Sequence, residues 1–127
     1  MYGYDRLRAP NTLSTLTAIA LAAEHHTKPL TFVSTTATVE KEHYVRLSES
    51  LVQGGGVGVP ESDDLEEGRT GLGTGYGQTK WVAEKILLEA GKRGLPGWVV
   101  RPGYIVGDSE SAGASTYFPL APIGSLT

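Results

Sequence analysis

A tyrosine and a lysine stand four residues apart in this sequence, at Tyr76 and Lys80. Residues with this spacing lie on the same face of a helix, about 5–6 Å apart at their Cβ atoms. A free phenol has a pKa near ~10, and a cation held beside it lowers that pKa because it stabilises the phenolate. Such a pair can transfer a proton to or from a carbonyl or alcohol oxygen. The spacing therefore predicts an acid–base pair, although it also occurs by chance on exposed helices.

Elements of regular structure flank this pair on both sides. After Lys80, apolar side chains recur at three- and four-residue intervals, which is typical of a helix with one buried stripe. Residues 97–102 then form a β-rich apolar run, typical of a fully buried strand. Upstream, residues 29–36 form a similar run that ends in hydroxyls, and residues 11–23 predict a helix starting at Pro10 and Asn11. The predicted order is helix, strand, long loop, helix, strand and loop, which favours a parallel sheet covered by helices.

Ligands of an open parallel sheet bind beyond the carboxyl ends of its strands. The residues expected at those ends are Ser34, Thr35 and Thr36 after one strand, and Pro102, Gly103, Tyr104 and Ile105 after the other. Tyr76 and Lys80 begin the helix between these strands. We therefore expect a hydroxyl, a phenol and an amine to converge at one edge of the sheet.

Several of these motifs, taken in order, resemble the extended short-chain dehydrogenase/reductases. The segments that carry the resemblance are YDRLRAPN at 4–11, FVSTTAT at 32–38, ESDDL at 61–65, GYGQTKWVAE at 75–84 and VRPGYIVG at 100–107. Within that superfamily they are most similar to the thioester reductases, and in detail to the reductase domains of fungal aminoadipate reductases. The resemblance covers residues 1 to about 110.

This resemblance implies an α/β fold, with residues 1–110 as the carboxyl-terminal half of a doubly wound, Rossmann-like reductase domain and residues 111–127 as an irregular tail. It implies NADPH-dependent reduction of a carrier-bound acyl thioester, of the aminoadipyl type, to an aldehyde in lysine biosynthesis. The partner would be an acyl group on the phosphopantetheine of a carrier protein.

The resemblance also implies roles for individual residues. Thr36 and Tyr76 would hold the developing oxyanion, Tyr76 would donate the proton, and Lys80 would lower the pKa of Tyr76 and bind the nicotinamide ribose. The residues expected to contact the cofactor are Ser34, Thr35, Tyr76, Lys80, Pro102, Gly103, Tyr104 and Ile105. Asn11 matches an asparagine position of the family, and a helix N-cap is an equally good interpretation.

The sequence does not contain the Gly-rich turn that receives the cofactor pyrophosphate in such folds. Residues 54–59 precede Pro60 and several acids, and residues 71–76 break the Gly-x-Gly-x-x-Gly pattern at its last position. We therefore expect a fragment that lacks the N-terminal Gly-rich βαβ unit and is inactive in isolation.

Two alternatives stay open. One is another activity on this scaffold, such as a nucleotide-sugar epimerase or dehydratase or a ketone reductase. The other is a non-catalytic fragment that self-associates through an open sheet edge.

Composition narrows the remaining classes of function. The net charge of −3, with both signs interspersed, argues against nucleic-acid binding. The sequence has no cysteine, and the adjacent His25 and His26 predict a solvated helix end, so we expect no metal site. No apolar run reaches the ~18 residues of a membrane span, and we expect a cytoplasmic protein. The acidic residues of 61–67 predict a polar loop, and Trp81 and Trp98 predict packing residues.

Overall fold

The computed structural model describes residues 2–56, 58–60 and 62–103. The elements, in chain order, are α1 Tyr4–Leu7, a π-helical segment Arg8–Leu13, α2 Ser14–Ala23, β1 Leu30–Val33, a 3₁₀ turn Thr36–Val39, α3 Glu42–Gln53, a 3₁₀ turn Glu66–Arg69, α4 Gly75–Lys92 and β2 Gly97–Val100. None of the helices within these residues is long and apolar enough to cross a membrane.

Strands β1 and β2 are parallel neighbours, which confirms the predicted parallel sheet. Their register pairs Leu30 with Gly97 and Val33 with Val100, so both strands end at the same level. The pairing extends one step further, because the Ser34 amide donates to the Val100 carbonyl over 2.7 Å. The segments that leave the two strands therefore start side by side, at the edge where the sequence predicted a site.

Helix α4 connects to β2 and supplies the long helix predicted around Tyr76 and Lys80. The Thr74 hydroxyl caps its first turn by accepting from the Gly77 amide over 3.0 Å. The first helical residue, Gly75, packs on the chain's amino-terminal residues: a Cβ there would lie 2.5 Å from the Gly3 carbonyl carbon and the Tyr4 nitrogen. Glycine at this position therefore lets the helix start lie directly against backbone.

The first helix begins earlier than the sequence predicted. Helical structure runs from Tyr4, and Pro10 lies inside the π-helical segment Arg8–Leu13 instead of at a helix start. A proline inside an α-helix removes a hydrogen bond and its ring crowds the preceding turn. The wider turn of a π-helix is one way a helix absorbs such a local defect. The proline was therefore a misleading start signal.

The predicted long loop after β1 is also wrong, because α3 occupies residues Glu42–Gln53. Tyr44, Leu47 and Leu51 are spaced by three and four residues, and Tyr44 is 1% exposed. This spacing is the signal of a helix with an inward face. This pattern consists of only three residues and is interrupted by charged residues, so a loop was predicted here in place of a helix.

Strand β2 is less buried than a core strand, contrary to the prediction. Trp98 is 64% exposed and Val100 is 48% exposed. Val99 points to the opposite face, shares that face with its register partner Phe32, and is half-buried. Among the described residues α4 covers only this second face, and so the alternate side chains of β2 remain exposed.

Candidate functional site

The start of α4 carries Tyr76 and Lys80 on one face, as the spacing predicted. The Lys80 Nζ atom lies 5.9 Å from the centroid of the Tyr76 ring. Tyr76 is 37% exposed, so its phenol is accessible to a ligand at the sheet edge. The phenol and the ammonium group can therefore act on the same ligand.

Lys80 is held by the end of strand β1. Its Nζ atom donates to the carbonyl oxygen of Val33 over 2.8 Å and lies 4.7 Å from the Phe32 ring centroid. Burial lowers the pKa of Lys80 below its ordinary value, and the charge of Glu84 acts in the opposite direction. The ammonium group thus keeps a fixed place at the strand end.

Thr36 is the first residue of the 3₁₀ turn that follows β1, and its side chain is exposed. This turn packs against the first turn of α4: a Cβ on Gly77 would lie 3.1 Å from the Ala37 carbonyl oxygen. Gly77 follows Tyr76, and Ala37 follows Thr36. The elements that carry the hydroxyl and the phenol are therefore in direct contact.

The two hydroxyls before Thr36 are already engaged within the protein. Ser34 is 3% exposed and donates to the Glu84 carboxylate. Thr35 caps the 3₁₀ turn, and its Oγ1 accepts from the Ala37 amide over 3.2 Å. A cofactor contact of either residue stays a prediction, and the inward Ser34 hydroxyl makes it the less accessible of the two.

Glu84, which no sequence motif marked as functional, is fully buried at 0% exposure. Its carboxylate accepts from Ser34, from Thr38 Oγ1 over 3.2 Å, and from Arg101 Nη2 over 2.7 Å. The Arg101 Nε atom also donates to both carboxylate oxygens, at 3.1 and 3.0 Å. The signal that could have identified it is its spacing, one helical turn after Lys80 on the helix face that carries Tyr76 and Lys80.

Asn11 does not cap a helix, because it lies inside the π-helical segment. Its side chain donates to Thr79 Oγ1 over 3.0 Å, and that hydroxyl donates to the Tyr76 carbonyl over 2.9 Å. Thr12 adds a bond from its Oγ1 to the Thr79 carbonyl over 3.2 Å. The N-cap interpretation is therefore wrong, and the asparagine supports the helix turn that carries Tyr76.

The residues after β2 are only partly described. Pro102 is half-buried and Gly103 is exposed, directly beyond the end of the strand. The predicted cofactor contacts Tyr104 and Ile105 lie outside the described residues. Pro102 and Gly103 come after the end of β2, and Thr36 comes after the end of β1, at the same edge of the sheet. The sequence predicted this location for them.

The acidic stretch and the tryptophan of α4 have structural contacts. Asp63 accepts from the Leu65 amide over 2.7 Å and from the Tyr44 hydroxyl over 3.3 Å. The Trp81 Nε1 atom donates to the Leu65 carbonyl over 2.8 Å. The loop is thus ordered by its own side chains and docks on α4.

His25 and His26 are exposed at the end of α2.

Comparison with known proteins identifies relatives across most of the chain. A family model described as male sterility protein, NAD_binding_4, matches residues 1–124. L-2-aminoadipate reductase of Schizosaccharomyces pombe is 51% identical over 116 residues, which are 91% of this chain and 8% of the relative. L-2-aminoadipate reductase of Saccharomyces cerevisiae is 47% identical over 116 residues, again 91% and 8%. The chain therefore spans a small part of these relatives.

A solved structure has a similar fold. The terminal R domain from the myxalamid PKS-NRPS biosynthetic pathway superposes with a TM-score of 0.72 and 36% sequence identity. The match covers 92% of this chain and 27% of that one. The described residues thus have the fold of one part of a larger domain.

Proposed function

This chain belongs to the NAD-binding family described as male sterility protein, and on that premise we propose that it is the catalytic segment of a thioester reductase. The proposed reaction is the NADPH-dependent reduction of a carrier-bound acyl thioester to an aldehyde, with an aminoadipyl group as the substrate. Its similarity to L-2-aminoadipate reductases and to a terminal R domain supports this choice of substrate class. The substrate and the preference for NADPH are parts of the proposal.

One observation carries the proposal: the elements with Thr36 and Tyr76 are in contact at the end of β1, where Lys80 is anchored. A Cβ on Gly77 would lie 3.1 Å from the Ala37 carbonyl oxygen. The Lys80 Nζ atom lies 2.8 Å from the Val33 carbonyl. A hydroxyl, a phenol and an ammonium group at one strand end are the groups needed to receive a carbonyl oxygen and deliver a proton.

Each of these residues has a role in the proposed reaction. Thr36 and Tyr76 donate hydrogen bonds to the carbonyl oxygen as negative charge develops on it, where pre-placed donors stabilise the transition state most strongly. Tyr76 then gives its proton to that oxygen, and the resulting hemithioacetal breaks its C–S bond, which releases the aldehyde and the phosphopantetheine thiol. The ammonium group of Lys80 places a positive charge 5.9 Å from the centroid of the Tyr76 ring, beside the atoms that exchange the proton.

The donor chemistry at Lys80 fits a nicotinamide cofactor. An ammonium group has three donors, and among the described residues one of them is directed to Val33. The others can bind the ribose hydroxyls, with Pro102 and Gly103 bordering the same edge. When bound, NADPH supplies the hydride that reduces the carbonyl carbon. Lys80 and Tyr76 are therefore the residues that would hold the ribose beside the substrate.

A chimaera tests the proposal in a complete enzyme. The 116-residue matching segment of the Schizosaccharomyces pombe reductase is replaced by that of this chain. We expect thioester reduction within about tenfold of the parent, a loss of less than about 1.4 kcal/mol in transition-state stabilisation. The assay follows NADPH absorbance with an aminoadipyl phosphopantetheine thioester, and the aldehyde is identified by mass spectrometry.

Two control substrates separate the alternatives. A nucleotide sugar and a simple ketone are offered to the same chimaera, and we expect neither to be converted. A chimaera that folds and binds NADPH, but converts one of these and leaves the thioester intact, would contradict the proposal. The unmodified parent enzyme, assayed in parallel, shows that the thioester preparation is competent.

The isolated chain is tested separately. Its inactivity and its self-association through a sheet edge stay predictions. Titration of NADPH by calorimetry should give no binding in the micromolar range, because the sequence contains no Gly-rich pyrophosphate turn. Micromolar binding would show that the cofactor site is complete in this chain.

A further inference from the structure

Glu84 lies on the same side of α4 as Tyr76 and Lys80, at intervals of four residues. It is fully buried, whereas Tyr76 is 37% exposed. A buried carboxylate is unfavourable unless charged and hydrogen-bonding partners surround it. Glu84 has such partners in Ser34, Thr38 and Arg101, and the first two belong to the segment that carries Thr36.

The strand-end segment, residues 34–38, is attached to Glu84 at both of its ends. Ser34 and the Thr38 hydroxyl both donate to the same carboxylate oxygen, Oε1. Thr38 Oγ1 also lies 2.9 Å from the Thr35 carbonyl, so its single proton is shared between that oxygen and Glu84. Thr36 lies midway between the two attachment points with its own side chain exposed.

Arg101 fixes the carboxylate itself. Its guanidinium group binds Glu84 with both Nε and Nη2, which defines the plane of the carboxylate as well as its position. Arg101 directly follows β2, so Glu84 connects the ends of both strands with α4. Such a supporting group can hold a reacting side chain within the narrow tolerance that catalysis requires.

We propose that Glu84 is a positioning residue that holds the Thr36 hydroxyl at the substrate carbonyl, an inference that rests on the proposed function. Glu84 does not touch the reacting atoms. It acts by anchoring residues Ser34 and Thr38, and so sets where the hydroxyl of Thr36 points. Its contribution should therefore disappear when Thr36 has no hydroxyl.

The first measurement needs no turnover. Amide hydrogen exchange is compared in the full chain between the wild type and two variants, Glu84→Gln and Thr38→Val. Thr38→Val keeps the side-chain shape and the Glu84–Arg101 pair, so it remains informative where Glu84→Gln unfolds the chain. We expect the Ala37 amide, which donates to Thr35 Oγ1, to exchange at least about tenfold faster while the amides of α4 stay protected. Unchanged exchange at Ala37 in the folded variants would overturn the proposal.

The second measurement is a kinetic cycle in the chimaera. Thr38→Val alone should lower kcat about 10- to 100-fold with little change in KM for NADPH. The reason is that a misplaced Thr36 hydroxyl weakens a hydrogen bond that stabilises the transition state and is not needed to bind NADPH. In a Thr36→Val background, Thr38→Val should lower kcat no further. Equal and additive losses in both backgrounds would show a general structural role and overturn the proposal.

Thr15→Val is the matched control. Thr15 is 5% exposed, and its hydroxyl donates to the Asn11 carbonyl over 2.9 Å, away from the strand-end segment. The same isosteric change there should leave exchange at Ala37 and kcat close to wild type. A chimaera that is inactive before any variant is made contradicts the proposed function, and the exchange result still decides whether Glu84 anchors the segment.

Discussion

The ammonium group of Lys80 donates to the carbonyl oxygen of Val33 over 2.8 Å, which ties the first turns of α4 to the last residue of β1. The two residues are far apart in sequence, yet this hydrogen bond fixes the position of the Lys80 ammonium group relative to the end of β1. The desolvated position lowers the pKa of Lys80. The lysine is therefore part of the framework of the site as well as a proposed participant in its chemistry.

Replacement of Tyr76 by phenylalanine should abolish most of the proposed activity. The variant keeps the ring and loses the acidic proton, so in the chimaera we expect turnover at least about 100-fold below wild type. Tyr44→Phe is the control, because it makes the same change at a buried tyrosine of α3 and should leave turnover nearly unchanged. Turnover of Tyr76→Phe close to wild type would remove the phenol from the mechanism.

Removal of Arg101 should destabilise the fold strongly. Arg101→Gln leaves the fully buried Glu84 carboxylate without its counter-charge, which typically costs about 3–5 kcal/mol of unfolding free energy. Urea denaturation of the full chain measures this loss. Arg93→Gln is the control, since its pair with Glu89 is exposed and should be worth less than about 1 kcal/mol.

A double variant sharpens the interpretation of that loss. Glu84→Gln combined with Arg101→Gln removes both charges, so we expect it to be more stable than Arg101→Gln alone. If the double variant instead loses the sum of the two single losses, the two side chains are energetically independent and the buried-pair argument is wrong.

Two glycines of α4 should respond in opposite directions to alanine. A Cβ at position 75 would lie 2.5 Å from backbone atoms of Gly3 and Tyr4, so Gly75→Ala should lower the unfolding free energy by about 1–3 kcal/mol. A Cβ at position 91 meets no atom within 4 Å, so Gly91→Ala should raise stability by about 0.5–1 kcal/mol. Thermal denaturation distinguishes these signs, and a stabilising Gly75→Ala would refute the close packing.

Tyr44 should make stability depend on pH in the alkaline range. Burial and the nearby Asp63 carboxylate raise the pKa of its phenol from 10.0 to about 12. Because the folded pKa lies above the unfolded one, this stabilisation is present below pH 10 and is lost as the pH rises through about 12.

Urea midpoints of the wild type and Tyr44→Phe at several pH values test this dependence. Near neutral pH the variant should be less stable by about 1 kcal/mol, since it lacks the hydrogen bond to Asp63. That difference should shrink above pH 10 because only the wild type loses the additional stabilisation. Tyr2→Phe changes an exposed tyrosine and should follow the wild type at each pH. A difference that stays constant with pH would contradict the prediction.

Local periodicity predicted several elements because their signals lie within a few consecutive residues. The helix around Tyr76 and Lys80 and the runs that became β1 and β2 were predicted in this way, and the alternation of strands and helices predicted their parallel arrangement. The start of the first helix was not, because Pro10 resembles a helix start and yet lies in a π-helical segment. Helix α3 was missed although Tyr44, Leu47 and Leu51 carry helical spacing.

Residue order establishes which chemical groups are available and places Tyr76 and Lys80 on one helix face, because that spacing is a property of the helix alone. The resemblance assigned the oxyanion role to Thr36, with Ser34 and Thr35 as expected cofactor contacts. Only the tertiary structure turned Ser34 inward to Glu84, 50 residues away in sequence, and left Thr36 exposed. The physical reason is that a buried carboxylate must be surrounded by donors, and these donors come from distant segments that meet only when the sheet and α4 pack together.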